Sequence, residues 1–316
     1  MPVRLTTGQE RFGFEALLIE NDLLRIEVLP ELGGKIWSIA YKPRDRELLW
    51  HHPSIVPQRV ELGSSFDDAF SGGWDELFPN DAPVTIDGIA YPDHGEIWTA
   101  NCAWDVINSS ESEVTIALTC RGSATGALVE KQLTLRAGEA SLHVSYSARN
   151  DSEHALKFHW KLHPALRMGP NARIDIPAAN VIFDPEFAEE FGIQEGNWPI
   201  VRGNDGEKID LRIAPRPESK ATRFFYATEL REGWCAMTDL DDGIGVRFDF
   251  DRAIFSAVTV FGTYGGWRNL HTTILEPCTG YPYQLDRAIE SGRATSLLTG
   301  GTFQTTVMMS VHTIDV

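Results

Sequence analysis

Cysteine is scarce in this chain: four residues in 316, Cys102, Cys120, Cys235 and Cys278, with no CxxC pair among them. A disulfide framework or a zinc knuckle needs clustering that these positions lack, so free thiols in a reducing cytoplasm are expected. Long apolar runs are missing as well. No stretch approaches the roughly 18 apolar residues of a membrane helix. The opening MPVRLTTGQERFGFEALLIEND has no uninterrupted apolar segment of the kind a signal peptide carries. A soluble, cytoplasmic protein with no membrane partner is the expectation. Positive charge is also in the minority, with 28 Lys and Arg against 45 Asp and Glu, a net charge of −17. That surplus repels phosphate backbones and anionic lipid, which argues against nucleic acid and leaves neutral small molecules. GxSxG is absent, and FGTYGGW lacks the Lys-Ser/Thr of a phosphate-cradling loop.

What the chain has in abundance is period-two alternation. LLRIEVLP sets Leu24, Ile26 and Val28 on one face and Arg25 and Glu27 on the other. SLHVSYSARN alternates Leu142, Val144 and Tyr146 against His143 and Ser145, and TFQTTVMMSVHT closes the chain in the same manner. Bounded by turn signals such as PELGG and LTGGT, these runs predict half-buried antiparallel strands. PEFAEEFGIQE and QLDRAIESGR predict at most single short turns of helix. Roughly Pro53 to Pro92 reads as irregular and carries FDDAFSGGWDELFPNDAP; long loops inside compact domains are often functional. No linker, repeat or low-complexity tract divides the chain, so residues 1–316 read as one all-β domain, a many-stranded sandwich with function on its loops and strand ends.

Four groups of residues could carry chemistry. In KFHWKLHPALRMGP, a strand would put His159, Lys161 and His163 on one face. Two histidines four apart also match a zinc pair, but the glutamate of HExxH is absent and the context is β, so no metal is expected. In YPDHGEIW, a histidine beside glycine permits close approach of a backbone or a ligand; the bland alternative is a loop histidine bonded to Asp93 or a carbonyl. Trp74, Trp98, Trp160, Trp198 and Trp267 lie near polar or glycine-rich residues, where indole suits the C–H face of a sugar. Finally, Glu276 follows Thr273-Ile274-Leu275 and precedes Pro277, as though a strand ended by presenting a carboxylate.

With these residues in hand, the chain resembles the galactose mutarotase-like (aldose 1-epimerase) superfamily over most of its length. LIENDLLRIEVLPELGGKIWSIAYKPRDRELLW is similar to its N-terminal strand pair, PDHGEIW to its HG motif, KLHPALRM to the strand bearing its second histidine, and ILEPCTGYP with SLLTGGTFQTTVMMSV to its terminal block. The resemblance implies an all-β, large antiparallel β-supersandwich whose concave face binds a small-molecule sugar. It implies Glu276 as general base, His163 as general acid in its imidazolium form, and His94 as a binding residue near the ring oxygen, with no metal or organic cofactor. Asp75 or its neighbour Glu76, with Trp98 and Asp239, is expected to supply further substrate contacts. Sugar-phosphate members carry an arginine in the pattern HGFAR, where this chain has Trp98, so an unphosphorylated aldose is the expected substrate. A sugar-binding protein without turnover, or a lyase on the same scaffold, is the alternative, and whether the chain forms a homodimer is open.

Overall fold

The computed structural model describes residues 2–315. Two antiparallel sheets, of twelve and eight strands, face each other across the main hydrophobic core. The alternation read from the sequence supplies that core from both sides. Leu24, Ile26 and Val28 enter it from the first sheet, and Leu142, Val144 and Tyr146 from the second, all at 2% exposure or less. Burying such apolar faces contributes roughly 25 cal/mol per Å² removed from water. All four cysteines are free and buried. No helix among the described residues is long and apolar enough to cross a membrane.

Five consecutive strands of the larger sheet matter for function. In spatial order they are Trp74–Leu77, Lys161–Leu166, His271–Cys278, Ala257–Tyr264 and Ala221–Thr228. Leu162 and Leu166 point into the core between the sheets, so alternation sends His163 and Ala165 to the opposite face. On that face Phe66, Phe70, Trp98, Ala165 and Ile274 form a separate apolar cluster. Pro164 and Pro277 each remove an N–H donor from these strands. The Lys161 and Glu276 strands pair at Lys161–Cys278 and again from Ala165–Ile274, with the ladder interrupted between.

The structure departs from the sequence reading in three places. The stretch taken as irregular contains the fully buried strand Trp74–Leu77 and a short helix, Phe66–Ala69, whose first turn is capped by Ser65 Oγ. WDEL looks like loop because of its two carboxylates, yet Asp75 pairs with Lys35 and Glu76 with Lys131, both buried lysines distant in sequence. The strand of Glu276 does not end there but runs through Pro277 to Cys278. His159 precedes its strand, which begins at Lys161; its amide donates to the Pro79 carbonyl and neither ring nitrogen has a partner. The two helical segments are a 3-10 turn at Pro185–Phe187 and an α-helix at Leu285–Glu290.

Candidate active site

Glu276 lies at the bottom of a cleft of about 320 Å³, within the range of small-molecule sites. Its strand neighbours that of His163, and the pairings on either side place these two residues opposite each other at the interrupted rungs. They therefore stand side by side, a strand spacing of about 4.8 Å apart in the sheet, and both line the cleft. Beneath them the fully buried Lys161 ammonium donates to Asp81 Oδ2 at 2.5 Å and to Glu276 Oε2 at 3.4 Å. Burial pushes the Glu276 carboxyl up to about 7, with Lys161 holding it down in part and the Asp81 charge raising it further. Burial lowers the Lys161 pKa, but the Asp81 and Glu276 charges outweigh that and raise it. Asp81 is likewise desolvated, yet Lys161 and His94 hold its carboxyl below the usual range.

His94 reaches the same cleft from the loop after the Ile89–Tyr91 strand. Two successive residues there adopt left-handed backbone, His94 at φ 55° and Gly95 at φ 76°. A Cβ on residue 95 would collide with the Phe78 carbonyl, so the glycine of the HG pair admits another backbone. That turn lets the His94 amide donate to the Asp81 carbonyl at 2.6 Å. Asp93 then fixes the ring: its Oδ1 bonds His94 Nδ1 at 2.8 Å, while its Oδ2 accepts the Phe66 amide at 2.8 Å. Phe66 in turn stacks flat on the His94 ring, with centroids 4.1 Å apart. Burial opposes a charge on His94, but the Asp93 hydrogen bond and the Asp81, Asp93 and Asp67 charges prevail and raise its pKa above the ordinary 6.5. The site therefore favours the charged form of His94 more than water does.

For His163 the balance runs the other way. Burial, then the neighbouring His94 charge, holds its pKa well below 6.5, so it is neutral near pH 7. The imidazolium expected at His163 is corrected on this ground. Its Nδ1 is buried without a partner, which leaves Nε2 as the nitrogen a ligand can reach. Phe66 and Phe70 fix the ring edge-to-face, at 5.2 and 5.5 Å between centroids.

No family model matches the chain. Solved structures do. A Klebsiella pneumoniae protein carrying the provisional name aldose 1-epimerase superposes with a TM-score of 0.74 at 16% identity, over 98% of this chain and 82% of that one. A galactose mutarotase-like protein from Clostridium acetobutylicum gives 0.68 at 10% identity, over 99% of each chain. Another from Lactobacillus casei gives 0.62 at 16% identity, over 94% of this chain and all of that one. The chain shares the fold of these galactose mutarotase-like proteins.

In this cleft the sequence-derived residues separate into two sets. Glu276, His163 and His94 come together at one end. Asp75, Trp98 and Asp239 do not line the cleft, and their expected sugar contacts are corrected here. Asp75 is the strand partner of His163, but its carboxylate is taken up by Lys35 and only 2% of the residue is exposed. Trp98 is buried behind Phe66, with its indole N–H on the Asp93 carbonyl at 3.0 Å, so it supports the aromatic wall. Asp239 sits in the other sheet, paired with Arg46 at 2.7 Å. Asp81 and Phe66 had no signal of their own beyond lying in the stretch FDDAFSGGWDELFPNDAP. Lys161 had a weak one, its shared face with His163.

Proposed function

We propose that the protein is an aldose 1-epimerase-like enzyme that interconverts the α and β anomers of an unphosphorylated aldose. The observation that carries this reading is the pairing, in one cleft, of a carboxylate poised near neutrality with a histidine whose hold on its proton is strengthened by Asp93 and Asp81. Such a pair suits acid–base chemistry near pH 7. Glu276 takes the proton of the anomeric hydroxyl as the C1–O bond to the ring oxygen breaks. The bond's electron pair stays on the ring oxygen, which receives a proton from His94, and C1 becomes a carbonyl carbon. Rotation about C1–C2 turns the other face of the carbonyl to the ring hydroxyl, and the same transfers run backwards close the ring. Neutral His163 binds the sugar through Nε2. The folds superposed above, two of them called galactose mutarotase-like, support the same reading. Polarimetry or NMR exchange measurements on a panel of aldoses test it; tight sugar binding with no accelerated exchange for any of them would leave a binding protein instead.

The pH profile is fixed by the same two groups. kcat/KM is expected to rise with pH through about 7, as Glu276 loses its proton, and to fall at higher pH as His94 loses its own. Polarimetry from pH 5 to 9 checks this, and a profile flat through 7 would remove Glu276 as base. A second expectation concerns charge. Among the described residues no Lys or Arg lines the cleft, whereas Asp67, Asp81, Glu186 and Glu276 do. A hexose should therefore compete at least tenfold better than its 6-phosphate in a binding assay, and equal or tighter phosphate binding would refute that.

A further inference from the structure

Two of the four cysteines lie side by side, away from the cleft. The strand Ala103–Ser109 runs antiparallel to Glu113–Arg121, with Ala103 opposite Thr119. One rung further along that register Cys102 faces Cys120. Both side chains enter the main core, at 5% and 6% exposure, so they share one face of the sheet.

The backbone hydrogen bonds decide what kind of rung this is. Cys102 donates its amide to the Pro30 carbonyl at 3.1 Å, away from the strand of Cys120. Two residues past Cys120, and so oriented alike, Gly122 donates to the Ala127 carbonyl at 2.8 Å, away from Cys102. The two cysteines are therefore a non-hydrogen-bonded pair, in which opposed Cα atoms stand about 4.5 Å apart and side chains are at their closest. A disulfide spans Cα separations of roughly 4.4–6.8 Å. This rung can take one without moving the backbone, and the two thiols already meet in a hydrogen bond.

A cavity of about 10 Å³ lies beside the thiols, lined also by Glu76, Lys131 and Tyr146. That is about the space of one water, so the oxidant that reaches this site must be small and uncharged. The Cys102 hydrogen bond and then burial raise the pKa of the Cys120 thiol, as does the Glu76 charge, and Lys131 offsets them only in part. Thiolate is accordingly scarce, and the reaction is slow. Cys235 and Cys278 offer no such pair: they sit in different sheets, and the Cys278 thiol is taken up by Thr259 and the Ala257 carbonyl.

We propose that Cys102 and Cys120 are a covalent modification site, closed to a cross-strand disulfide by a small peroxide. Hydrogen peroxide transfers one oxygen to the first thiol, giving a sulfenic acid, and its other oxygen leaves as water. The second sulfur then displaces hydroxide from the first, and the hydroxide leaves with the second thiol's proton as another water. Two thiols and one peroxide become one disulfide and two waters, with both sulfurs oxidised and both peroxide oxygens reduced. The strand Ala103–Ser109 is the edge of the eight-stranded sheet, and the bond pins its first residue to the neighbouring strand. A cross-link of this kind stabilises the fold by restricting the unfolded chain.

The folded protein, incubated with excess hydrogen peroxide and then denatured, should show two titratable thiols in place of four. Its mass should fall by two hydrogens, and a peptide map should contain Cys102 bridged to Cys120. The melting temperature should rise, and dithiothreitol should reverse all three changes. Cys235→Ser should still form the bridge, whereas Cys102→Ser and Cys120→Ser should not, and should show no rise in melting temperature. The site is overturned if all four thiols persist, or if the bridge joins Cys235 or Cys278. It is equally overturned if either cysteine is oxidised to sulfinic acid without bridging, or if the bridge forms only when urea has unfolded the chain first.

Discussion

Glu276→Gln is expected to slow anomer exchange by about two to four orders of magnitude, the usual weight of general-base assistance. The amide keeps the shape of the carboxyl and part of its hydrogen bonding but cannot take the anomeric proton. Stability should respond in the opposite sense. The folded-state pKa of Glu276, about 7, lies above the ordinary 4.5. The folded protein thus holds this proton more tightly than the unfolded chain, and stability from this group is full below about 4.5 and lost as pH rises through about 7. At pH 8 wild type carries the cost of a buried charge that the amide lacks, and Lys161 retains Asp81 as its partner. The variant should melt at or above the wild-type temperature at pH 8. Polarimetry and a melting curve on the same preparations decide the matter. A variant that melts early yet exchanges anomers at the wild-type rate would return Glu276 to a structural role.

Lys161→Met should have the largest effect on stability. Its ammonium is wholly buried between Asp81 and Glu276. Removing one member of a buried ionic group commonly costs about 3–5 kcal/mol, because the remaining charges are left unpaired. Lys161 lowers the pKa of both carboxyls, so without it each would hold its proton to higher pH. The loss should therefore be small near pH 4.5 and grow as pH rises to 8. Adding Asp81→Asn should recover part of it. Denaturant unfolding at the two pH values measures this, and a pH-independent loss would show that methionine packing, not charge, is responsible.

Much of the scaffold could be read directly because strand alternation is a local property. Leu24, Ile26 and Val28 declare their shared face within six residues, and the structure buries all three. Glu276, His163 and His94 stood in recognisable motifs of their own. What sets their protonation did not. Asp81 and Lys161 are eighty positions apart, and nothing in FPNDAP announces that its aspartate neutralises a lysine on the neighbouring strand. The errors have the same origin. Asp75 and Asp239 look available in sequence because Lys35 and Arg46, which occupy them, are remote along the chain. Trp98 was placed on the sugar because a part-polar context suits an indole equally well behind the wall that touches it.

The order of strands within the sheets carries a consequence for how the molecule is made. The final strand, Thr302–Thr313, is inserted mid-sheet, between Ser141–Arg149 and Ile244–Phe250. Glu276 and His163, more than a hundred residues apart, become neighbours only when the strand His271–Cys278 is placed. During synthesis, at about 5–20 residues per second, the nascent chain spends most of its time with both sheets open at their centres. Ribosome-bound chains from which neither of these two strands has emerged should accordingly present four unpaired strand edges, two in each sheet, to any chaperone waiting at the exit tunnel.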